Sequence, residues 1–180
     1  MANREAIREL QARLASRLQA ARSEGFSVSW LAVKSGGSSY LFPLAQSGEI
    51  FPISSVQPVP YSRPWFRGVV NLRGGLYGVV DVARFVGGAT TGVPADNSVA
   101  PTVMEAIVVT LNAALDVNCA LMVDALAGLR NPDAFTAAHA PADDAPAYFG
   151  NRFTDASGEN WQEINLQTLS QLPSFLNITA

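Results

Sequence analysis

The stretch GVVNLRGGLYGVVDVARF, residues 68–85, has the most regular pattern in the chain. Two runs of β-branched and apolar residues, VVNL and LYGVVDV, flank a turn that contains Gly74 and Gly75. Glycine adopts at little cost the positive φ angles that tight hairpin turns require, so these two glycines are expected to supply them. The stretch therefore predicts a β-hairpin, followed by a short helix that stops at Gly87-Gly88.

Similar patterns recur on both sides of this hairpin. Short apolar runs separated by turn residues cover residues 27–33, 40–45, 105–111, 118–126, 148–154 and 161–166. Many short strands without a regular alternation with helices are typical of small β-barrels. Residues 40–42 correspond in pattern to 120–122, and residues 65–68 to 147–150, at an offset of about 80 residues, which indicates a duplicated unit.

The segments between the strands have a different composition. Residues 51–65 include four prolines, which lack the N–H that a central strand must donate, so an extended connector is predicted. Residues 89–103 and 130–147 are rich in small residues and contain proline, and both are predicted to be irregular loops. A short closing helix is expected over 166–172, ended by Pro173.

An N-terminal helix is predicted ahead of the first strand. Apolar residues recur at three- and four-residue steps over residues 3–23, and Gly25 is the expected stop. The apolar stripe is expected to pack against the body, and a partner-binding or membrane-surface helix is the alternative. The predicted domain organisation is a helix over 1–25 and one domain over 26–180, with a first barrel over 26–88 and a second over 103–170.

Composition excludes several classes of function. The 180 residues carry a net charge of −3, which argues against a protein that neutralises nucleic-acid phosphates. One cysteine, Cys119, and one histidine, His139, allow no intrachain disulfide, no cysteine zinc site and no pair of histidine ligands. The charged N-terminus is no signal peptide, and no apolar run reaches a membrane span, so a cytoplasmic protein without direct membrane insertion is expected.

None of the motifs in the sequence matches a catalytic site. NLRGG lacks the spacing and the Lys-Ser/Thr ending of a phosphate-binding loop, and no GxSxG motif is present. Asp81 and Asp124 end strands at matching places, where aspartate is expected to cap a following turn or helix. His139 is expected to be solvated, and Cys119 is expected to be a small buried hydrophobe. We therefore predict a binding or scaffold module, with no catalytic residue, cofactor or metal.

The central segment resembles a known family. VQPVPYSRPWFRGVVNLRGGLYGVVDVARFVG, residues 56–87, is similar to the signature of CheW-like coupling domains: a proline-containing approach, aromatic-x-(R/K)-G-V-x-N-L-R-G, and an apolar strand that ends in V-D. Residues 107–111, 120–126 and 148–169 agree in pattern with the later part of such domains, so the resemblance covers about residues 27–170. The long N-terminal helix and the Trp-led first strand look like coupling proteins of type IV pilus (twitching) systems.

The resemblance implies both a fold and a function. The family's fold is two five-stranded SH3-like β-barrels around a shared apolar seam, here mainly β with an N-terminal and a short C-terminal helix. Its members are adaptors without catalysis. They link the cytoplasmic tips of methyl-accepting chemoreceptors to the regulatory domain of a CheA-type histidine kinase. For this chain the resemblance implies a cytoplasmic scaffold, recruited to membrane-associated chemosensory arrays.

The resemblance also implies partner-binding residues, which are Arg73, Glu49, Ile50, Ile107, Asn71 and Leu72. Arg73 in NLRG matches the arginine tied to receptor coupling, while Glu49-Ile50 matches an acidic-apolar pair at the receptor groove. Ile107 matches an apolar position of that groove. The chain departs from the family at Ser47-Gly48, where a larger apolar residue is usual, and at Gly75, where a bulkier or charged residue often follows NLRG.

Two other functions remain open from the residues alone. A ligand-sensing barrel could bind a small apolar molecule between its halves and regulate a partner, and a hydrolase could carry an unrecognised site. Arg73 itself could be a solvated hairpin residue that contributes almost nothing.

Overall fold

The computed structural model describes residues 29–91 and 106–180. The predicted helix over 3–23 and most of the predicted loop over 89–103 lie outside these residues. In chain order the strands are β1 Trp30–Ser35, β2 Ser38–Pro43, β3 Ser47–Ile53, β4 Phe66–Leu72, β5 Gly75–Asp81, β6 Ala106–Leu111, β7 Cys119–Val123, β8 Ala125–Arg130, β9 Phe135–His139, β10 Phe149–Asp155 and β11 Asn160–Ile164. The helices are α1 Val82–Thr91, α2 Leu166–Gln171 and α3 Pro173–Leu176. The prediction of a mainly β fold is confirmed.

The strands form two sheets with the same pairing pattern. The order is β8-β1-β2-β11-β10-β9 in the six-stranded sheet and β3-β6-β7-β5-β4 in the five-stranded sheet. All neighbours pair antiparallel except β2 with β11 in the first sheet and β5 with β7 in the second. Strand β9 is the additional strand of the six-stranded sheet.

Each sheet draws strands from both halves of the sequence. The six-stranded sheet joins β1 and β2 to four strands from the second half, and the five-stranded sheet joins β3, β4 and β5 to β6 and β7. The predicted division into one barrel over 26–88 and another over 103–170 does not describe these sheets. The pattern of strands could be found in the sequence, but pairing between strands as distant in the sequence as β2 and β11 could not.

The internal repeat is present, shifted by one residue from the predicted correspondence. Tyr40 pairs with Gln162 as Cys119 pairs with Gly78, so Tyr40 corresponds to Cys119 rather than to Ala120. Likewise Tyr148 corresponds to Trp65. The carbonyl of Tyr148 accepts the Asn165 N–H, and the carbonyl of Trp65 accepts the Asp81 N–H. A slip of one residue would turn every side chain to the other face of its strand, so burial decides the register.

Three apolar cores hold the sheets. The largest lies between them and includes Phe42, Val80, Phe85, Val109 and Leu121. Trp30, Ala32, Leu41, Phe153 and Trp161 form a second core on the six-stranded sheet. Ile53, Leu72, Val79, Val108 and Ala120 form a third core on the five-stranded sheet. Successive side chains of a strand therefore alternate between the shared core and the core of their own sheet.

Two local predictions were wrong. Helix α1 does not stop at Gly87-Gly88 but continues to Thr91, and neither glycine has the positive φ that ends a helix. The predicted loop over 130–147 contains strand β9, which pairs with β10. Phe135 anchors β9 because its ring packs against those of Trp30 and Phe153, with centroids 5.8 and 5.0 Å apart.

Candidate partner-binding site

The β4–β5 hairpin has a two-residue turn formed by Arg73 and Gly74. Leu72 pairs with Gly75, and φ is +49° at Arg73 and +86° at Gly74. The predicted pair of left-handed glycines was therefore wrong by one residue: Gly75 begins β5, and Arg73 is left-handed. Positive φ at both central residues gives the turn a twist that matches the flanking strands. The NLRG motif thus fixes the backbone that presents Arg73.

Asn71 and Leu72 support this turn from within. The side-chain Oδ1 of Asn71 accepts the backbone N–H of Gly74 at 3.0 Å. Leu72 is buried in the core of the five-stranded sheet. The role of both residues in partner binding stays a prediction, and Arg73 is exposed at the turn itself.

Arg73 and Glu49 form an ion pair across the open edge of the five-stranded sheet. Arg73 Nη1 lies 2.6 Å from Glu49 Oε2, and the two side chains are 72% and 58% exposed. The guanidinium carbon of Arg73 also lies 5.3 Å from the ring centroid of Phe51. Exposed ion pairs of this kind contribute about 0–1 kcal/mol to stability. The pair therefore orients two charged groups toward solvent without being needed to hold the fold.

Close contact between β3 and β6 explains the unusual residues before Glu49. The backbone N–H of Glu49 donates to Thr110 Oγ1 at 2.8 Å, next to an irregular register between Ser47 and Ile50. A Cβ on Gly48 would clash with the Thr110 hydroxyl and come within 2.8 Å of the Leu111 carbonyl oxygen. Position 48 therefore has no room for a side chain.

Ile50 and Ile107 lie on the other face of these strands. Ile50 pairs with Val109 and Ile107 with Pro52 and Val123, so both face the shared core rather than the Phe51 side. Ile107 is half-buried against that core, whereas Ile50 at the edge is 43% exposed. The predicted residues therefore lie on two faces. Glu49, which pairs with Arg73, lies on one face of β3, and Ile50 and Ile107 lie on the other face.

Two apolar residues near the Arg73 turn were missed by sequence reasoning. Phe51 lies under Arg73, and Leu76, which pairs with Asn71, is 61% exposed. Strand alternation could not reveal Leu76, because Leu76 lies on the same face of β5 as the buried Val80. Phe51 could not be assigned, since its place beside Arg73 depends on the closure of the sheet.

The other residues considered for chemistry in the sequence are two aspartates, the cysteine and the histidine. Asp81 Oδ1 accepts the Arg84 N–H at 3.1 Å at the start of α1, which confirms its capping role. Asp124 Oδ2 accepts the Gly36 N–H at 2.8 Å, so it caps the distant β1–β2 turn instead of a following one. Burial raises the pKa of the Cys119 thiol to about 12, as for an inert hydrophobe. His139 is exposed at the end of β9.

The described residues form neither a metal-binding cluster nor a helix that could span a membrane. Within residues 29–91 and 106–180, no group of three or more His, Cys, Asp or Glu side chains is placed to hold a metal ion. None of the helices in the same ranges is long and apolar enough to cross a membrane.

Two sheets related by an internal repeat, with one shared core and an exposed arginine turn, define a mainly β protein of two repeated sheets. The family model of the CheW-like domain matches residues 29–172, which is most of the chain. The chain belongs to the CheW-like domain family, and the resemblance found in the central motif is confirmed. CheW-like domains are scaffold domains of chemotaxis systems rather than enzymes.

The comparison with solved structures agrees on the fold. The crystal structure of the scaffolding protein TtCheW from Thermoanaerobacter tengcongensis matches with a TM-score of 0.58 over 82% of this chain and 95% of that chain. The two sequences are 14% identical, so the likeness concerns the fold alone. No curated protein gave a significant match.

Proposed function

We propose that this protein is a non-enzymatic chemosensory scaffold that couples the cytoplasmic tips of chemoreceptors to the regulatory domain of a CheA-type histidine kinase. The proposal is supported by the match of the CheW-like model to residues 29–172 and by the environment of Arg73. In this role the protein works in the cytoplasm, at arrays assembled beneath the membrane.

The observation that carries the proposal is the presentation of Arg73. Its backbone is set by a two-residue turn, its side chain is 72% exposed, and Glu49 and Phe51 orient its guanidinium. A planar guanidinium pairs with carboxylates or backbone carbonyls, and arginine is enriched among residues that dominate binding energy at interfaces. An arginine oriented in advance loses less entropy when it binds a partner.

The receptor site that we propose runs along the edge strand β3. Glu49 and Ile50 are successive residues and point to opposite faces, so a receptor helix laid along this edge would contact both. Ile50, Ile107 and Leu76 would supply apolar contacts, while Arg73 and Glu49 would supply the polar rim. A polar rim around an apolar contact is the usual anatomy of a protein interface.

The ligand-sensing alternative has little support in the packing between the sheets. The cavity there is lined by apolar residues such as Phe42, Val80 and Leu121, and it has a volume of about 10 Å³. That volume holds about one water molecule, whereas sites for small organic ligands measure roughly 300–1,000 Å³. The seam is therefore filled by side chains and offers no room for a regulatory ligand.

We also propose twitching motility, driven by type IV pili, as the output of the system. This assignment is supported by the sequence pattern of the N-terminal segment and by the Trp-led first strand. Trp30 is buried, and its indole N–H donates to Glu163 Oε1 at 2.8 Å, so it contributes to the core rather than to a partner surface. Identification of the receptor that co-purifies with the protein from native lysate would test the assignment.

The coupling function can be tested by measuring binding to purified fragments. Calorimetric titration with a receptor tip fragment, and separately with a kinase regulatory domain, should give saturable binding. Arg73→Ala should weaken receptor binding by roughly 1–3 kcal/mol, as expected for loss of an interface arginine. Arg152→Ala is the matched control, because Arg152 is an exposed arginine of the other sheet. Equal binding by wild type and both variants would contradict the proposed site.

A further inference from the structure

Residues 173–180 lie beyond the part of the chain that the family model matches, and they pack closely on the body. Phe175 in α3 is buried. Its ring is stacked on that of Trp65, with centroids 6.1 Å apart and an interplanar angle of 4°. It also meets Phe85 edge-on at 5.3 Å. We call residues 173–180 the strap.

The end of the strap runs antiparallel to the connector, here residues 54–65, between β3 and β4. The Arg63 N–H donates to the Ile178 carbonyl at 2.8 Å, and the Ala180 N–H donates to the Tyr61 carbonyl at 3.0 Å. The Arg63 guanidine adds a bond from its Nε–H to the Asn177 carbonyl at 3.2 Å. The strap therefore behaves as an added strand on the connector.

The connector closes the five-stranded sheet. Strands β3 and β4 are the two edges of that sheet and do not pair with each other. Instead Gln57 and Val69 exchange two backbone hydrogen bonds of 2.8 and 2.9 Å. Gly68, beside Val69, has φ +129°, and a Cβ there would come within 2.8 Å of the Gln57 carbonyl carbon. The connector must therefore lie directly against β4.

We propose that the strap is a positioning element: it holds the connector against β4 and so fixes the geometry between Glu49 on β3 and Arg73 at the end of β4. This inference rests on the proposed function of the Arg73 site. The connector needs an external support, because Pro58, Pro60 and Pro64 have no N–H to donate. Tyr61 has φ +57°, a conformation that bulky residues keep only when their surroundings impose it.

The test is deletion of residues 177–180, which removes the backbone pairing and leaves Phe175 in the core. Amide hydrogen exchange at Gln57 and Val69 should accelerate about tenfold or more, because the connector loses the hydrogen bonds that the strap supplies. Exchange at Val109 and Leu121, between β6 and β7, should not change. Receptor-tip binding should weaken by roughly 3- to 10-fold, because the orientation of Arg73 is lost.

Leu176→Ala is the control, since Leu176 lies in the same strap with 53% of its surface exposed and should change neither measurement. Unchanged exchange at Gln57 and Val69 after the deletion would overturn the inference. If exchange accelerates but receptor binding is unchanged while Arg73→Ala does weaken it, the positioning role is likewise wrong. If Arg73→Ala binds as wild type, the proposed site fails, and the exchange result alone then decides whether the strap holds the connector.

Discussion

Arg73 and Glu49 connect two edge strands that share no backbone hydrogen bond. Their ion pair spans from the end of β4 to β3, with 2.6 Å between Arg73 Nη1 and Glu49 Oε2. Because both side chains are largely exposed, solvent screens the attraction, and the pair adds little to the stability of the free protein. The geometry of the ion pair is therefore better explained by the charged groups that it presents to a partner than by a contribution to the stability of the fold.

The first prediction separates these two roles of Arg73. Arg73→Ala should change the free energy of unfolding by no more than about 0.5 kcal/mol, since it removes an exposed side chain. Receptor binding should nevertheless fall by roughly 1–3 kcal/mol, and Arg73→Lys should restore only part of it, because lysine keeps the charge but loses the planar fork. Urea denaturation and calorimetric titration of each variant would check both statements. A large loss of stability would show that Arg73 is structural.

The second prediction concerns the glycine under the connector. Gly68→Ala should destabilise the protein by about 3 kcal/mol or more, because its Cβ would collide with the backbone of Gln57 at a φ of +129°. Gly74→Ala is the matched control: its φ is +86°, but no atom lies within 4 Å of the added Cβ. It should cost about 1 kcal/mol. Equal losses in urea denaturation would mean that the connector can move away from β4.

The third prediction is a pH dependence from Asp155. Hydrogen bonds from the Ser157 hydroxyl and from the Trp161 indole N–H lower the pKa of this carboxyl group to about 2. A carboxyl group whose pKa is lowered by folding stabilises the protein above its unfolded pKa, and this contribution disappears as pH falls toward the folded value. Wild type should therefore lose stability between about pH 4 and pH 2. Asp155→Asn should be less stable at neutral pH and should lose less over that interval.

Thermal melts of both proteins across this pH range would measure the effect. Asp133→Asn provides a comparison, because Asp133 is an exposed aspartate in the turn before β9. It controls for the loss of one negative charge from the protein surface. Identical profiles for Asp155→Asn and wild type would contradict the assignment.

The fourth prediction concerns a buried hydroxyl in the shared core. The phenol oxygen of Tyr148 is buried and has no hydrogen-bond partner among the described residues, and burial raises its pKa to about 12. Tyr148→Phe removes an unsatisfied polar group, so it should leave stability unchanged or raise it by about 1 kcal/mol. Tyr40→Phe should lower it slightly, because the Tyr40 hydroxyl interacts with the side chain of Ser38. Denaturant midpoints in the opposite order would refute the prediction.

Local features of the fold could be predicted from the sequence because they depend on neighbouring residues. The β4–β5 hairpin, the proline-rich connector and the Asp81 cap each follow from residue types within a few positions. Strand β9 was missed because its stability comes from the contact of Phe135 with the distant Trp30. Helix α1 extends past two glycines because helix propensity is a weak preference, and burial of Phe85 and Val86 just before them outweighs it.

In the candidate site, too, local features could be predicted and long-range contacts could not. The motif pointed to Arg73, but strand alternation does not distinguish the exposed Leu76 from the buried Val80 on the same face of β5. The ion pair with Glu49 and the contact with Phe51 could not be foreseen, because they arise where two edges of a sheet meet. Asn71 and Leu72 share a motif with Arg73. The hydrogen bond of Asn71 to the turn and the burial of Leu72 depend on the folded hairpin and its core, which the motif alone does not reveal.

The exchange of strands between the sheets has a consequence for synthesis on the ribosome. The β1–β2 hairpin emerges early, but its neighbours β8 and β11 are completed only at residues 130 and 164. Until then the nascent chain exposes an unpaired edge and apolar faces that include Phe42 and Leu41, which is the condition that favours aggregation or capture by chaperones. Neither half can complete a sheet alone, so cutting the chain between residues 91 and 106 should leave two fragments that fold only together.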